Sequence, residues 1–100
     1  SRRDVYIPNA FSPNGDGLND NLTVFGGKEI ATVARMEVYD RWGNQVFLVD
    51  EAFAANDQGM GWDGTFRGQA QKEGVYIYNV VVNFIDGESQ QFSGEINLIK

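Results

Sequence analysis

The sequence predicts an all-β chain, an Ig-like antiparallel β-sandwich of about seven short strands. Three observations carry this. Short apolar runs recur along the chain, and Val, Ile, Phe and Tyr outweigh Leu and Ala in them, the types that suit a pleated, half-buried surface. Clusters of Gly, Asn and Asp punctuate those runs, as strand-to-strand turns require. No segment shows a capped apolar stripe of helical period.

Taken in order, Val5–Ile7 begins a short strand that stops at Pro8, which has no N–H to give to a ladder. Residues Ser12–Asp20 (SPNGDGLND) are nearly all turn formers. Leu22, Val24 and Phe25 make a second short strand, closed by Gly26 and Gly27. Val33–Asp40 alternates, with Ala34, Met36 and Val38 on one face and Arg35, Glu37 and Tyr39 on the other. Gln45–Val49 returns, and the connection between them (RWGN) has the Gly and Asn of a hairpin turn. Asp50–Gly74 has no sustained period. A connection of that length needs anchors, for which Trp62 and Phe66 are the candidates, with a short strand near Thr65. Val75–Phe84 is apolar on both alternations at first, which places it in the middle of a sheet. Asp86 and Gly87 form the turn into Gln91–Ile99, in which Gly94 marks a bulge or a close approach.

Composition excludes several functions. The net charge is −6 and the eight basic residues are scattered, so no basic stripe exists to neutralise a phosphate backbone and nucleic acid is not an expected partner. Cysteine and histidine are absent, which removes disulfides, thiolate or imidazole zinc sites and Cys or His nucleophile systems. No apolar run approaches the ~20 residues of a membrane helix, so no direct membrane insertion is expected. No signal peptide is visible at Ser1–Asp4; export would make the chain a piece of a longer precursor.

The best chemical candidate is the loop Ser12–Asp20. Oxygen-bearing side chains alternate at Ser12, Asn14 and Asp16, a glycine follows, and Asp20 comes four residues after Asp16. This imitates a calcium loop, in which alternate oxygens and a tight turn surround a hard cation. It departs from that pattern at Ser12, where an acid is usual, and at Thr23, where a bidentate Glu is usual. The expected ligands are Asn14, Asp16, Asp20 and the carbonyl of Leu18, with calcium as the structural ion. The competing reading is an Asx-rich turn bonded to its own backbone.

GMGWDG at Gly59–Gly64 matches a dinucleotide-loop pattern in letters only, since neither a preceding strand nor a following helix is present. It reads better as an anchored turn: the Trp62 indole in the core, Asp63 capping, and Gly64 at positive φ. Asp57 and Asp63 form a formal glycosidase pair, although surface acids in loops are far commoner than catalytic pairs. Trp42 and Trp62 offer sugar-stacking faces, but the preferred reading places both in the core, and Trp42→Ala is then expected to cost about 3–5 kcal/mol.

Four ordered motifs carry a family resemblance. They are Ile7–Asp20 (IPNAFSPNGDGLND), Val38–Phe47 (VYDRWGNQVF), Gly61–Gly64 (GWDG) with Gly74–Tyr78 (GVYIY), and the ending Gly94–Lys100 (GEINLIK). In this order and spacing the chain resembles the type B C-terminal sorting domain of the type IX secretion system of Bacteroidetes, also called the gliding motility-associated C-terminal domain. The resemblance implies residues 1–4 as linker and 5–100 as a single C-terminal sorting domain. It implies a non-enzymatic signal that directs an N-terminal passenger protein, via the periplasm and the type IX translocon, to the cell surface or medium. A PorP/SprF-type outer-membrane protein is the implied partner. The patches singled out for recognition are Asn14–Asp20 and Arg41, Trp42 and Gly43, both chemically richer than plain turns. The rival reading is a calcium-stabilised adhesive or carbohydrate-binding β-sandwich module.

Overall fold

A computed structural model describes residues 4–15 and 20–100. The chain is all-β, as expected. Its strands are β1 (Val5–Tyr6), β2 (Ala10–Phe11), β3 (Phe25–Gly26), β4 (Ile30–Tyr39), β5 (Gln45–Val49), β6 (Thr65–Phe66), β7 (Gln69–Ala70), β8 (Gly74–Phe84) and β9 (Ser89–Leu98). A five-stranded sheet in the order β2-β9-β8-β4-β5 forms one layer. The two-stranded pairs β1-β3 and β6-β7 contribute to the facing layer, with the chain around Leu22 and Trp62. The sheet is mixed and not purely antiparallel, because β2 runs parallel to β9 (Ala10 opposite Asn97, Phe11 opposite Leu98).

The long strands formed where the alternation placed them. β8 is central, flanked by β9 and β4. Its pairing with β9 runs without a register shift from Gly74–Leu98 to Asn83–Ser89. The turn between them closes through the Phe84 N–H to the Glu88 carbonyl (2.8 Å), and the Asp86 carboxylate accepts the Glu88 N–H (3.0 Å). Gly94 is a close approach: a Cβ there would sit 2.6 Å from the Tyr78 hydroxyl, whose ring lies across it from the paired strand.

The inward face of β4 differs from the expected one. Val33, Met36 and Val38 are buried, while Ala34 is only partly so. Ala34 is the extra residue of a β-bulge, since Val33 pairs with Val82 and Arg35 with Val81. One inserted residue reverses the parity of everything before it, so Val33 points inward alongside Met36. Outside, Glu37 is nearly buried on the sheet surface by Arg35, Tyr39 and Gln45, and accepts hydrogen bonds from all three. The bonds from Tyr39 and then Arg35 hold its carboxyl below the usual carboxylate range against the opposing effect of burial.

The core comprises the inward side chains of β4, β8 and β9 with Phe11, Leu22, Val24, Val46 and Trp62. The long connection is pinned by Trp62, as expected. Its indole is fully buried, donates to the Thr65 carbonyl (2.9 Å), and packs between Phe11 and Tyr76 at 5.4 and 5.0 Å between ring centroids. Asp63 caps the turn, accepting from the Thr65 N–H (3.0 Å) and hydroxyl (2.7 Å), and Gly64 takes φ +85°.

Candidate docking surface

The hairpin between β4 and β5 ends in a tip built by one carboxylate. Asp40 accepts from the Trp42 N–H (2.9 Å), the Asn44 N–H (2.9 Å) and the Asn44 side-chain amide (3.1 Å). Its own N–H donates to the Asn44 carbonyl (2.9 Å), and the Gly43 N–H donates to the Asp40 carbonyl (3.1 Å). Partial desolvation pushes the Asp40 carboxyl up. The bonds from Asn44 and Trp42, with the Arg41 charge, outweigh it and leave the group below its ordinary value. Gly43 takes φ +85°, a conformation that side-chain-bearing residues rarely adopt.

This hydrogen-bonded turn presents Trp42 to solvent. The indole is 78% exposed, with the Arg41 guanidinium 5.5 Å from its ring centroid. The expectation of a buried Trp42 is therefore corrected. The last β4–β5 pair is Tyr39 with Gln45, so residues 41–43 project beyond the sheet, and the core position is filled by Trp62. The expected cost of 3–5 kcal/mol for Trp42→Ala falls with it; a side chain this exposed contributes within about 0.5 kcal/mol.

A cleft of about 350 Å³ opens beside the tip, walled by Asp40, Arg41, Trp42, Lys72, Glu73 and Tyr76. Its floor includes main chain. Asn97, opposite Val75, donates its N–H away from β8 to the Asn9 carbonyl (2.9 Å). In an antiparallel pair, opposed residues point their peptide groups both inward or both outward, so the Val75 N–H and C=O point away from β9 toward β4. β4 ends at Tyr39, opposite Ile77, and the Val75 groups open on the cleft. Sequence reading missed this contribution, because the offset between strand ends is set by register and leaves no mark in residue type.

Of the other expected site, Asn14 and Asp20 are described, whereas Asp16 and Leu18 lie outside the described residues. The Asn14 N–H donates to the Ser12 carbonyl (2.8 Å), and Asp20 Oδ1 accepts the Gly15 N–H (3.0 Å), drawing the two ends of the loop together. Asp57 and Asp63 act as turn caps: Asp57 accepts the Gly59 N–H at the head of a short 3-10 turn, Gln58–Met60, and Asp63 binds Thr65.

A family model described as the CHU_C type IX secretion signal domain matches residues 5–98. This chain belongs to the CHU_C type IX secretion signal domain family. The match spans nearly the whole fold, from β1 to the end of β9. No curated protein matches the chain. A type IX secretion signal domain serves export to the cell surface or medium, interacts with the secretion machinery, and is not an enzyme class. Arg41, Trp42 and Gly43 are thus the exposed tip of a secretion signal domain.

Proposed function

We propose that this signal domain directs a passenger protein joined ahead of it through the type IX translocon of a Bacteroidetes cell, via the periplasm, to the surface or medium. The hairpin tip is the element a PorP/SprF-type outer-membrane partner reads. The observation that carries this reading is the family match together with an exposed tryptophan on a turn whose main chain is bonded by Asp40. Trp and Arg are enriched among the few interface residues that carry most of the binding energy. A reporter bearing a signal peptide and fused ahead of the domain tests it. Export by a type IX-competent strain and retention by a strain lacking the translocon are expected; equal export by both strains overturns the sorting role.

The same exposed indole favours a second reading, a carbohydrate-binding module. Sugar titration monitored by Trp42 fluorescence, with Trp42→Ala as the reference, separates the two.

For the loop Ser12–Asp20 we propose a structural calcium ion held by Asn14, Asp16, Asp20 and the Leu18 carbonyl. Every candidate ligand is a hard oxygen, which suits calcium over zinc. Two carboxylates bring the charge of the site to about zero, as in extracellular sites with Kd of roughly 0.1–1 mM. Millimolar calcium is expected to raise the melting temperature relative to chelator, and Asp16→Ala to erase the difference. Identical melting in calcium and in chelator reduces the loop to an Asx-rich turn.

A further inference from the structure

The edge of the sheet farthest from the Trp42 tip is open. β9 pairs with β8 along its whole length, but on its other side β2 covers only Asn97 and Leu98. Among the described residues, no strand lies against Ser89–Glu95 on that side. Asn97 and Ile99 donate their N–H groups outward, to the carbonyls of Asn9 and Phe11 (2.9 and 3.0 Å). Because the register with β8 is uninterrupted, the same parity holds back along the strand. Ser89, Gln91, Ser93 and Glu95 therefore also point their N–H and C=O groups outward, and all four are exposed. The free edge runs for roughly 20 Å or more at strand rise.

Natural sheets protect such edges with Lys, Pro, bulges or short strands. This one has none of those devices: SQQFSGE contains no Lys, Arg or Pro, and the strand is neither bulged nor short. The opposite edge differs. β5 has five residues and a register irregularity at Val46.

We propose that the β9 edge accepts an extended, basic segment of a partner protein as an additional strand, hydrogen-bonded to Ser89, Gln91, Ser93 and Glu95. Main-chain bonding of this kind supplies affinity whatever the side chains, and flanking charge selects the partner. That charge has one sign. Along Ser89–Ile99 the ionisable side chain is Glu95, an acid, and the whole chain carries a net charge of −6. A second copy of the domain is disfavoured as the occupant, since it brings the same acidic edge and a further net charge of −6. The surface is separate from the Arg41–Gly43 tip and does not depend on which component reads Trp42.

Amide hydrogen exchange on the purified domain tests this. The probes are two synthetic peptides of about ten alternating Val and Thr residues, one with interspersed Lys and the other with Glu at the same places. The Lys peptide is expected to slow exchange of the Ser89, Gln91, Ser93 and Glu95 amides at least tenfold, and the Glu peptide to leave them unchanged. Gln91→Pro and Ser93→Pro each remove an outward N–H that the fold does not use, a position at which an edge strand tolerates proline. Both are expected to fold, judged by circular dichroism, and to lose the protection, while Ser93→Ala keeps both. No protection by the Lys peptide, equal protection by the Glu peptide, or protection that grows with domain concentration alone overturns the inference. Reporter export by the unaltered domain is a separate readout: a domain that exports but takes no strand defeats this inference and leaves the sorting role standing.

Discussion

Trp62→Ala is expected to lower the stability of the domain by about 3–5 kcal/mol, the range for truncating a large buried aromatic. For a chain of this size that is a fall in melting temperature on the order of 15 °C or more. The residue is fully buried and does three things together, of which the side chain supplies the first two. It fills the space between Phe11 and Tyr76, its ring nitrogen satisfies the Thr65 carbonyl, and its main chain bridges to Leu22 (2.8 and 3.1 Å). The bridge needs the preceding glycine as well, because a Cβ on Gly61 would lie 2.4 Å from the Leu22 carbonyl oxygen. Trp62→Phe separates the contributions: it keeps most of the apolar volume but leaves the Thr65 carbonyl without its donor, and about 1–3 kcal/mol of loss is expected. Thermal denaturation of the two variants measures both. A Trp62→Ala protein that melts with the parent would mean that the indole does not hold the long connection to the sheet.

Trp42→Ala should do the opposite, leaving stability within about 0.5 kcal/mol of the parent while weakening the contact with the export machinery that we propose for the tip. An exposed, pre-oriented Trp acting as an interface anchor is worth about 2 kcal/mol or more, and each 1.4 kcal/mol is tenfold in affinity. Export of the reporter fusion is therefore expected to fall tenfold or more at limiting partner. Arg41→Ala should reduce it less, and Trp42→Phe should restore part of it. Asp40→Ala should mimic the loss by releasing the turn that aims the indole. A Trp42→Ala fusion exported as efficiently as the parent would remove the tip from the recognition surface and leave the family role itself untouched.

The two tryptophans also show where sequence reasoning reached and where it stopped. Both stand beside glycine in polar surroundings (RWGN and GWDG), and composition alone assigns both to the core. What separates them is position relative to a strand pair. Trp42 falls inside a two-strand turn, beyond the last paired residues, where the described residues leave it 78% exposed. Trp62 falls in a long connection that has to be fastened down. The central place of β8 was legible because both of its faces begin apolar, and the Asp86–Gly87 turn because its residues have no better use. The parity reversal at Ala34 was not legible, since a bulge depends on the partner strand and β4 carries no residue that demands one. The parallel seat of β2 was also hidden: two residues are too few to show a period.

That short parallel pairing ties the beginning of the fold to its last strand, with Ala10 seated against Asn97. Nearly the whole chain is the loop that this contact closes, and β9 must also be in place before β8 has a second neighbour. Contacts so distant along the sequence are entropically costly to make early, and a chain without β9 loses both the seat of β2 and the second neighbour of β8. The five-stranded sheet is consequently complete only when β9 is in place. A chain synthesised from its N-terminus gains the open edge only once β9 has emerged, whereas the tip needs only the pairing of β4 with β5.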